Sequence, residues 1–214
     1  MKPTINRPPQ RLERPVLRKR RRPVLSETYL RAIAHHEAGH AVACVRFGIA
    51  FEHVALTPDD PARGGFLRHP GSGSMKTRRV YVSRRTLANE VFMMMAGDAA
   101  VRPFFTASEE HFAANRSGDA EQAMRLLEWR GYYDPEQNYD AGNQVFCHVP
   151  PTERAAFVEE QRQRAIKWAK SHSDSGGYWA IKAVADALVY RRTLNSEEVA
   201  AIIKNAIWVV CGRV

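Results

Sequence analysis

Cysteine is scarce in this sequence. Its 214 residues include three, Cys44, Cys147 and Cys211, and none stands in a Cys-x-x-Cys pair. That argues against a disulfide framework, and a reducing compartment, the cytoplasm, is the expectation. No apolar run approaches the ~18 residues that a membrane-spanning helix needs, so no membrane is expected as a partner. The basic N-terminus is not followed by the apolar stretch of a secretory signal, and no serine precedes Ser26, as a transit peptide would require. A phosphate loop is missing too. Gly71-Ser72-Gly73-Ser74-Met75-Lys76-Thr77 has the look of one, but Met75 stands where a glycine must precede the lysine, and Pro70 where the first glycine belongs.

Acidic residues are nearly absent from one end. Residues 1–25 hold nine Lys and Arg against the single acid Glu13, so most of the net charge of +9 lies there. Pro3, Pro8, Pro9, Pro15 and Pro23 fall in the same stretch. Such a segment cannot bury a core, and a disordered basic tail over 1–25 is expected, followed by one domain over 26–214. The tail solubilises the chain or tethers it weakly to nucleic acid or another acidic partner. The near-neutral remainder, with no interleaving of aromatic and basic residues, argues against a nucleic-acid-binding domain.

What is present is His36-Glu37-Ala38-Gly39-His40. Positions four apart share a helix face, so both histidines can aim an imidazole at one metal ion, with Glu37 beside the first. This is the HExxH signature of zinc peptidases, in which the glutamate is the general base. The helical context is supplied by Ser26 as N-cap, by Leu30, Ile33, Ala34, Ala41 and Val45 at helical spacing, and by Gly48 as terminator. His35 points about 100° away from His36 and is not read as a ligand. Cys44, four residues after His40, is read as a small buried side chain.

Beyond this helix, Phe51–Leu56 reads as a strand, 58–61 as a turn and 64–68 as a returning strand, followed by a Gly/Ser loop over 69–77. A second helix runs from Ser83 to Val101, with Leu87, Val91, Met94, Met95 and Ala99 as its buried stripe. Residues 103–116 read as a loop or short helix. A third helix starts near Ser117 and ends at Gly131, with Ala120, Ala123, Leu126 and Leu127 inward. A polar stretch covers 131–149. A long helix follows Pro150-Pro151 up to a turn at 174–177, another covers Tyr178 to Arg191, and a last one starts at Asn195 with Glu198 as capping partner. The expected fold is mainly α, with a small β-hairpin near the site.

Catalytic zinc takes three protein ligands and keeps a position open. Glu90, Asp98, His111, Asp119, Glu121 and His148 are the candidates for the third. Asp119 would lie in the first turn of the third helix, where the helix dipole favours a carboxylate. Glu90 is its rival, a helical glutamate.

Four segments resemble the peptidase domain of the FtsH family, the membrane-bound AAA proteases. They are His36-Glu37-Ala38-Gly39-His40-Ala41-Val42, Ala96-Gly97-Asp98-Ala99-Ala100, Ser117-Gly118-Asp119-Ala120-Glu121-Gln122-Ala123 and Arg192-Thr193-Leu194-Asn195-Ser196-Glu197-Glu198. They occur in the family's order, and the resemblance covers about residues 28–205. The resemblance implies an FtsH-peptidase-like zincin variant with Asp119 as the third zinc ligand. It also implies that the strand at Gly65, Phe66 and Leu67 binds substrate by strand addition. The chain departs from the family where Asp98 replaces an arginine, where Val101-Arg102 replaces acidic residues, and where Gly118 replaces an asparagine.

The expected activity is therefore zinc-dependent and ATP-independent endopeptidase action on peptides or unfolded segments. His36, His40 and Asp119 hold Zn2+, and Glu37 is the general base. Two other readings stand beside it: a zinc-containing binding or regulatory module without turnover, and a peptidase subunit served by a separate ATPase partner in trans.

Overall fold

The structure, a computed structural model, describes residues 26–57, 65–69, 82–105, 109–133, 146–173 and 176–211. The basic tail, the turn at 58–61, the Gly/Ser loop from residue 70 onward and most of the polar stretch lie outside them. Six helices and two small sheets make up the described part, which is mainly α.

Helix α1 (Glu27–Phe47) starts where the sequence predicts. The Ser26 hydroxyl accepts the Tyr29 N–H at 3.2 Å. It ends on Gly48, whose φ of 66° is a left-handed conformation that glycine adopts without strain. The Gly48 N–H donates to Val45 O and the Ile49 N–H to Cys44 O, a Schellman closure of the last turn. Every residue from Ala32 to Cys44 is buried. A helix buried on all sides is central rather than superficial. Helices α2 (Arg84–Val101), α5 (Tyr178–Arg191) and α6 (Ser196–Cys211) surround α1.

The second helix is central as well. The expected stripe of five residues widens to burial of nearly every position from Val91 to Val101, with Met93 buried and Met94 only half-buried. The physical reason is that α2 is covered on separate faces by α1, by α3 (Glu109–Trp129) and by α4 (Pro151–Lys170). Gly39 lets α1 and α2 approach to backbone contact. A Cβ at Gly39 would lie 2.3 Å from the Ala96 carbonyl oxygen and 2.6 Å from Ala100 Cβ.

Two expectations are corrected. The third helix begins at Glu109, not near Ser117, and residues 109–116 belong to it. Ser117-Gly118 looks like a helix start, but a glycine inside a helix costs only about 1 kcal/mol. Asp119 therefore sits near the middle of α3, beyond the reach of the helix dipole, which acts within the first turn. The hairpin is also incomplete as expected. Strand β1 (His53–Leu56) pairs antiparallel with β2 (Gly65–Arg68), and its other edge pairs with β6 (Thr193–Asn195), giving the order β2-β1-β6. Three residues between two helices carry too little alternation to announce a strand. A second sheet joins β3 (Val82–Ser83), β4 (Tyr132–Tyr133) and β5 (Phe146–Cys147).

The remaining helix ends follow their caps. Pro151 opens α4 at a position where its missing N–H is no loss. Asn195 and Glu198 cap α6 reciprocally: the Glu198 N–H donates to Asn195 Oδ1 at 2.9 Å, and the Asn195 N–H to Glu198 Oε2 at 2.8 Å. Among the described residues, no helix is long and apolar enough to cross a membrane.

Two glycine substitutions should separate packing from propensity. Gly39→Ala forces the α1–α2 backbones apart and should destabilise by about 1–3 kcal/mol or more. A Cβ at Gly118 meets nothing within 4 Å, so Gly118→Ala should stabilise α3 by about 0.5–1 kcal/mol. Urea unfolding of both variants measures the contrast.

Candidate metal centre

Helix α1 presents His36 and His40 one turn apart, their rings nearly perpendicular at 83°. Their Nε2 atoms lie 3.1 Å from each other. Asp119 enters from α3, and its Oδ2 lies 3.4 Å from His36 Nε2 and 3.5 Å from His40 Nε2. Three donor atoms from two helices thus converge on one point, a group that can hold a metal ion.

One hydrogen bond fixes the orientation of His40. His40 Nδ1 is 2.8 Å from the Met93 carbonyl, which only accepts, so Nδ1 carries a hydrogen. One of the two facing Nε2 atoms must donate to the other. Burial opposes charge on His40, but the Asp119 carboxylate, Glu37 and the Met93 carbonyl outweigh it and raise its pKa to about 9. Burial, and next the charge on His40, push His36 down to about 4. Within the pair, charge is favoured on His40 and opposed on His36. Burial alone would raise the Asp119 pKa, yet the two imidazoles hold it below its ordinary value.

The donor set fits a divalent ion. A tetrahedral ion bound at ~2.0–2.1 Å keeps its donors ~3.3 Å apart, close to the separations found here. Asp119 Oδ2 is buried without a hydrogen-bond partner among the described residues, an acceptor that a cation would satisfy. The Met93 carbonyl orients His40 so that Nε2 is the atom offered, the usual support for a ligating histidine. His36 Nδ1 is buried and has no such partner among the described residues.

Gly97, from the second resembling segment, and Gly65, from the expected substrate strand, shape the site. A Cβ at Gly97 would lie 2.3 Å from His40 Nε2 and 2.8 Å from His36 Cε1. Helix α2 can therefore pass beneath the imidazoles only because this position is glycine. A Cβ at Gly65 would lie 2.5 Å from Glu37 Cγ and 2.9 Å from Glu37 Oε1, so the first residue of β2 rests on the glutamate. Both signals were in the sequence as unexplained glycines within a helix and at a strand start.

Glu37 is buried beside the donor set. Burial raises its pKa to about 7, with His40 lowering it and Asp119 raising it. At neutral pH such a carboxyl exchanges protons readily. The remaining candidates fall away from the site. Glu90 pairs with Arg130 across α2 and the end of α3. Glu121 pairs with Arg125 on the exposed side of α3. Asp98 is buried, and His148 is half-buried, but neither belongs to the converging group. The His111 side chain lies outside the described residues. His35 Nδ1 donates to the Arg31 carbonyl, and its ring packs on Phe104 and Phe105. Cys44 is fully buried with its thiol pushed up to about 12 by burial, as suits an inert core side chain.

No family model matches the chain. It is similar to the ATP-dependent zinc metalloprotease FtsH 2 of Methylacidiphilum infernorum (isolate V4), 24% identical over 211 residues. The similarity covers 87% of this chain and 31% of that protein, so the chain spans about a third of its relative's length. This is a distant relationship to a zinc metalloprotease.

Metal binding must expel the His40 proton. Because that pKa is raised to about 9, the proton is bound below pH 9 and metal affinity should fall about tenfold per pH unit from 8 to 6. Calorimetry in buffers of different ionisation enthalpy should report about one or more protons released at pH 7. Gly97→Ala should abolish uptake of the ion under the same conditions.

Proposed function

We propose that the chain is a zinc-dependent endopeptidase acting on peptides or unfolded protein segments. The carrying observation is the convergence of His36, His40 and Asp119 on one point with the buried Glu37 carboxyl beside it. The distant relationship to a zinc metalloprotease supports the choice of zinc and of peptide substrates. The fold in this reading is a zincin variant of the FtsH peptidase type, whose third ligand is an aspartate on a separate helix.

His36 and His40 would hold the ion through neutral imidazoles, and Asp119 through a carboxylate oxygen. Zinc bound there supplies Lewis acidity, lowering the pKa of water and polarising a carbonyl. Glu37 accepts a proton from the attacking water and delivers it to the amine nitrogen as the C–N bond breaks. Its raised pKa suits both halves of that transfer, since a strong acid would not take the proton and a strong base would not give it up. The extended segment Gly65, Phe66 and Leu67 positions the substrate. It pairs with β1 along one edge and lies against Glu37 at its start. A substrate strand added to its other edge would bring a backbone carbonyl toward the glutamate. The ATP dependence in the relative's name belongs to that longer protein. A separate ATPase delivering unfolded chains would serve the same site.

Glu37→Gln should keep about one zinc per chain and lower cleavage of an unfolded protein such as casein by about 10²–10⁴-fold. Full activity in that variant would remove the mechanism. Asp119→Ala should lose the zinc, and undiminished zinc would remove Asp119 from the ligand set.

A further inference from the structure

A groove of about 500 Å³ lies away from the metal centre, between the last turn of α1, the first turns of α2 and the middle of α4. None of its lining residues is a metal donor or part of β2. Arg46, Arg84, Arg85 and Arg164 face it, against the single acid Glu160. Phe47 and Phe157 supply apolar wall, and the fully buried Gln161 part of the floor.

Four guanidiniums in one groove repel one another unless something neutralises them. Arg84, Arg85 and Arg164 have no carboxylate partner among the described residues. Elsewhere the chain pairs its arginines with acids, as in Arg31–Glu27, Arg68–Glu52, Arg162–Glu159 and Arg191–Glu198. Two of the groove arginines are held in place by neutral contacts instead. Arg164 donates to Gln161 Oε1 at 2.5 Å and lies 6.0 Å from the centre of the Phe92 ring. Arg84 lies 5.6 Å from the centre of the Tyr132 ring. Ring faces orient a guanidinium without cancelling its charge, so the fork stays available to an anion.

We infer that this groove binds a small, multiply charged phosphate compound of about nucleotide size. The charge surplus calls for more than one anionic group, and the planar fork of arginine suits phosphate oxygens bidentately. The volume falls in the ordinary range for small-molecule sites, roughly 300–1,000 Å³. The phenyl walls offer a place for an organic group beside the phosphates.

Calorimetric titration of the full chain with ADP, and separately with inorganic tripolyphosphate, tests this. The expected result is saturable one-to-one binding that weakens with added salt. The Arg84→Ala/Arg164→Ala double variant and the single Arg85→Glu variant should each bind about tenfold or more weakly. Arg85 is exposed and makes no contact whose loss would unfold the protein, so Arg85→Glu keeps the test valid if the double variant misfolds. Arg31→Ala, outside the groove, should bind as the wild type does. Tighter binding of ADP than of tripolyphosphate would show the organic group seated on the phenylalanines, and equal binding would place recognition in the phosphates alone. No saturable binding of either probe at millimolar concentration would overturn the inference. So would binding that survives both groove variants but disappears when residues 1–25 are deleted.

Discussion

The close crossing of α1 and α2 is the constraint on which the rest of this structure depends. Gly39 gives way to the backbone of α2, and Gly97 gives way to the imidazoles of α1. The two positions are complementary, since each helix yields where the other protrudes. One result is that the histidines lie in the buried middle of α1, between Ala32 and Cys44. A second is that Met93, one turn before Gly97, is placed to accept from His40. Widening the crossing by one methyl group would break the carbonyl contact and shift the imidazoles together. The core and the metal centre are therefore one packing problem.

That placement has an electrostatic cost, which the site itself offsets. His36, Glu37, His40 and Asp119 are largely removed from water, and each would lose heavily if charged alone. The charges are distributed so that they do not stand alone. Charge is favoured on His40 and opposed on His36, the imidazoles hold the Asp119 pKa below its ordinary value, and burial raises that of Glu37 to about 7. A doubly charged ion at the same point would replace the His40 proton and satisfy the orphaned Asp119 oxygen.

The parts of this that the sequence announces are those written in local chemistry. Ser26 and Gly48 bound α1, Asn195 and Glu198 cap α6, and the spacing of His36 and His40 needs only helical periodicity. Tertiary relations are harder to read. Asp119 could be chosen among six candidates only through a resemblance, because the mid-helix position it occupies carries no local mark. The dipole argument offered for it was wrong, since α3 starts ten residues earlier. The strand β6 is too short to show a period, and it exists because β1 needs a partner on that edge. The all-round burial of α2 cannot be seen in a helix whose apolar positions already fill one stripe. Gly39, Gly65 and Gly97 carry information of the same kind. Each marks a close approach, but to what is known only once the approaching group is in place.

Net charge illustrates the same limit from another side. Outside the first 25 residues the sequence is nearly neutral, which argues against a nucleic-acid-binding domain. A sum says nothing about placement. Among the described residues, most acids pair with nearby arginines and lysines or cap a helix start, which leaves Arg84, Arg85 and Arg164 there without acidic partners and brings them to one groove. Two of the three helices that build this groove also build the metal centre, α1 and α2 by their ends in one case and by their middles in the other. The rigidity supplied at Gly39 therefore serves both. The distance between the α1 arginine and the α1 ligands is fixed by helix geometry, at ~1.5 Å per residue from His40 to Arg46. On α2, Arg85 and Gly97 are tied in the same way. A ligand in the groove and an ion at the histidines would thus be held on the same pair of crossed rods, and neither could shift its helix without the crossing registering it.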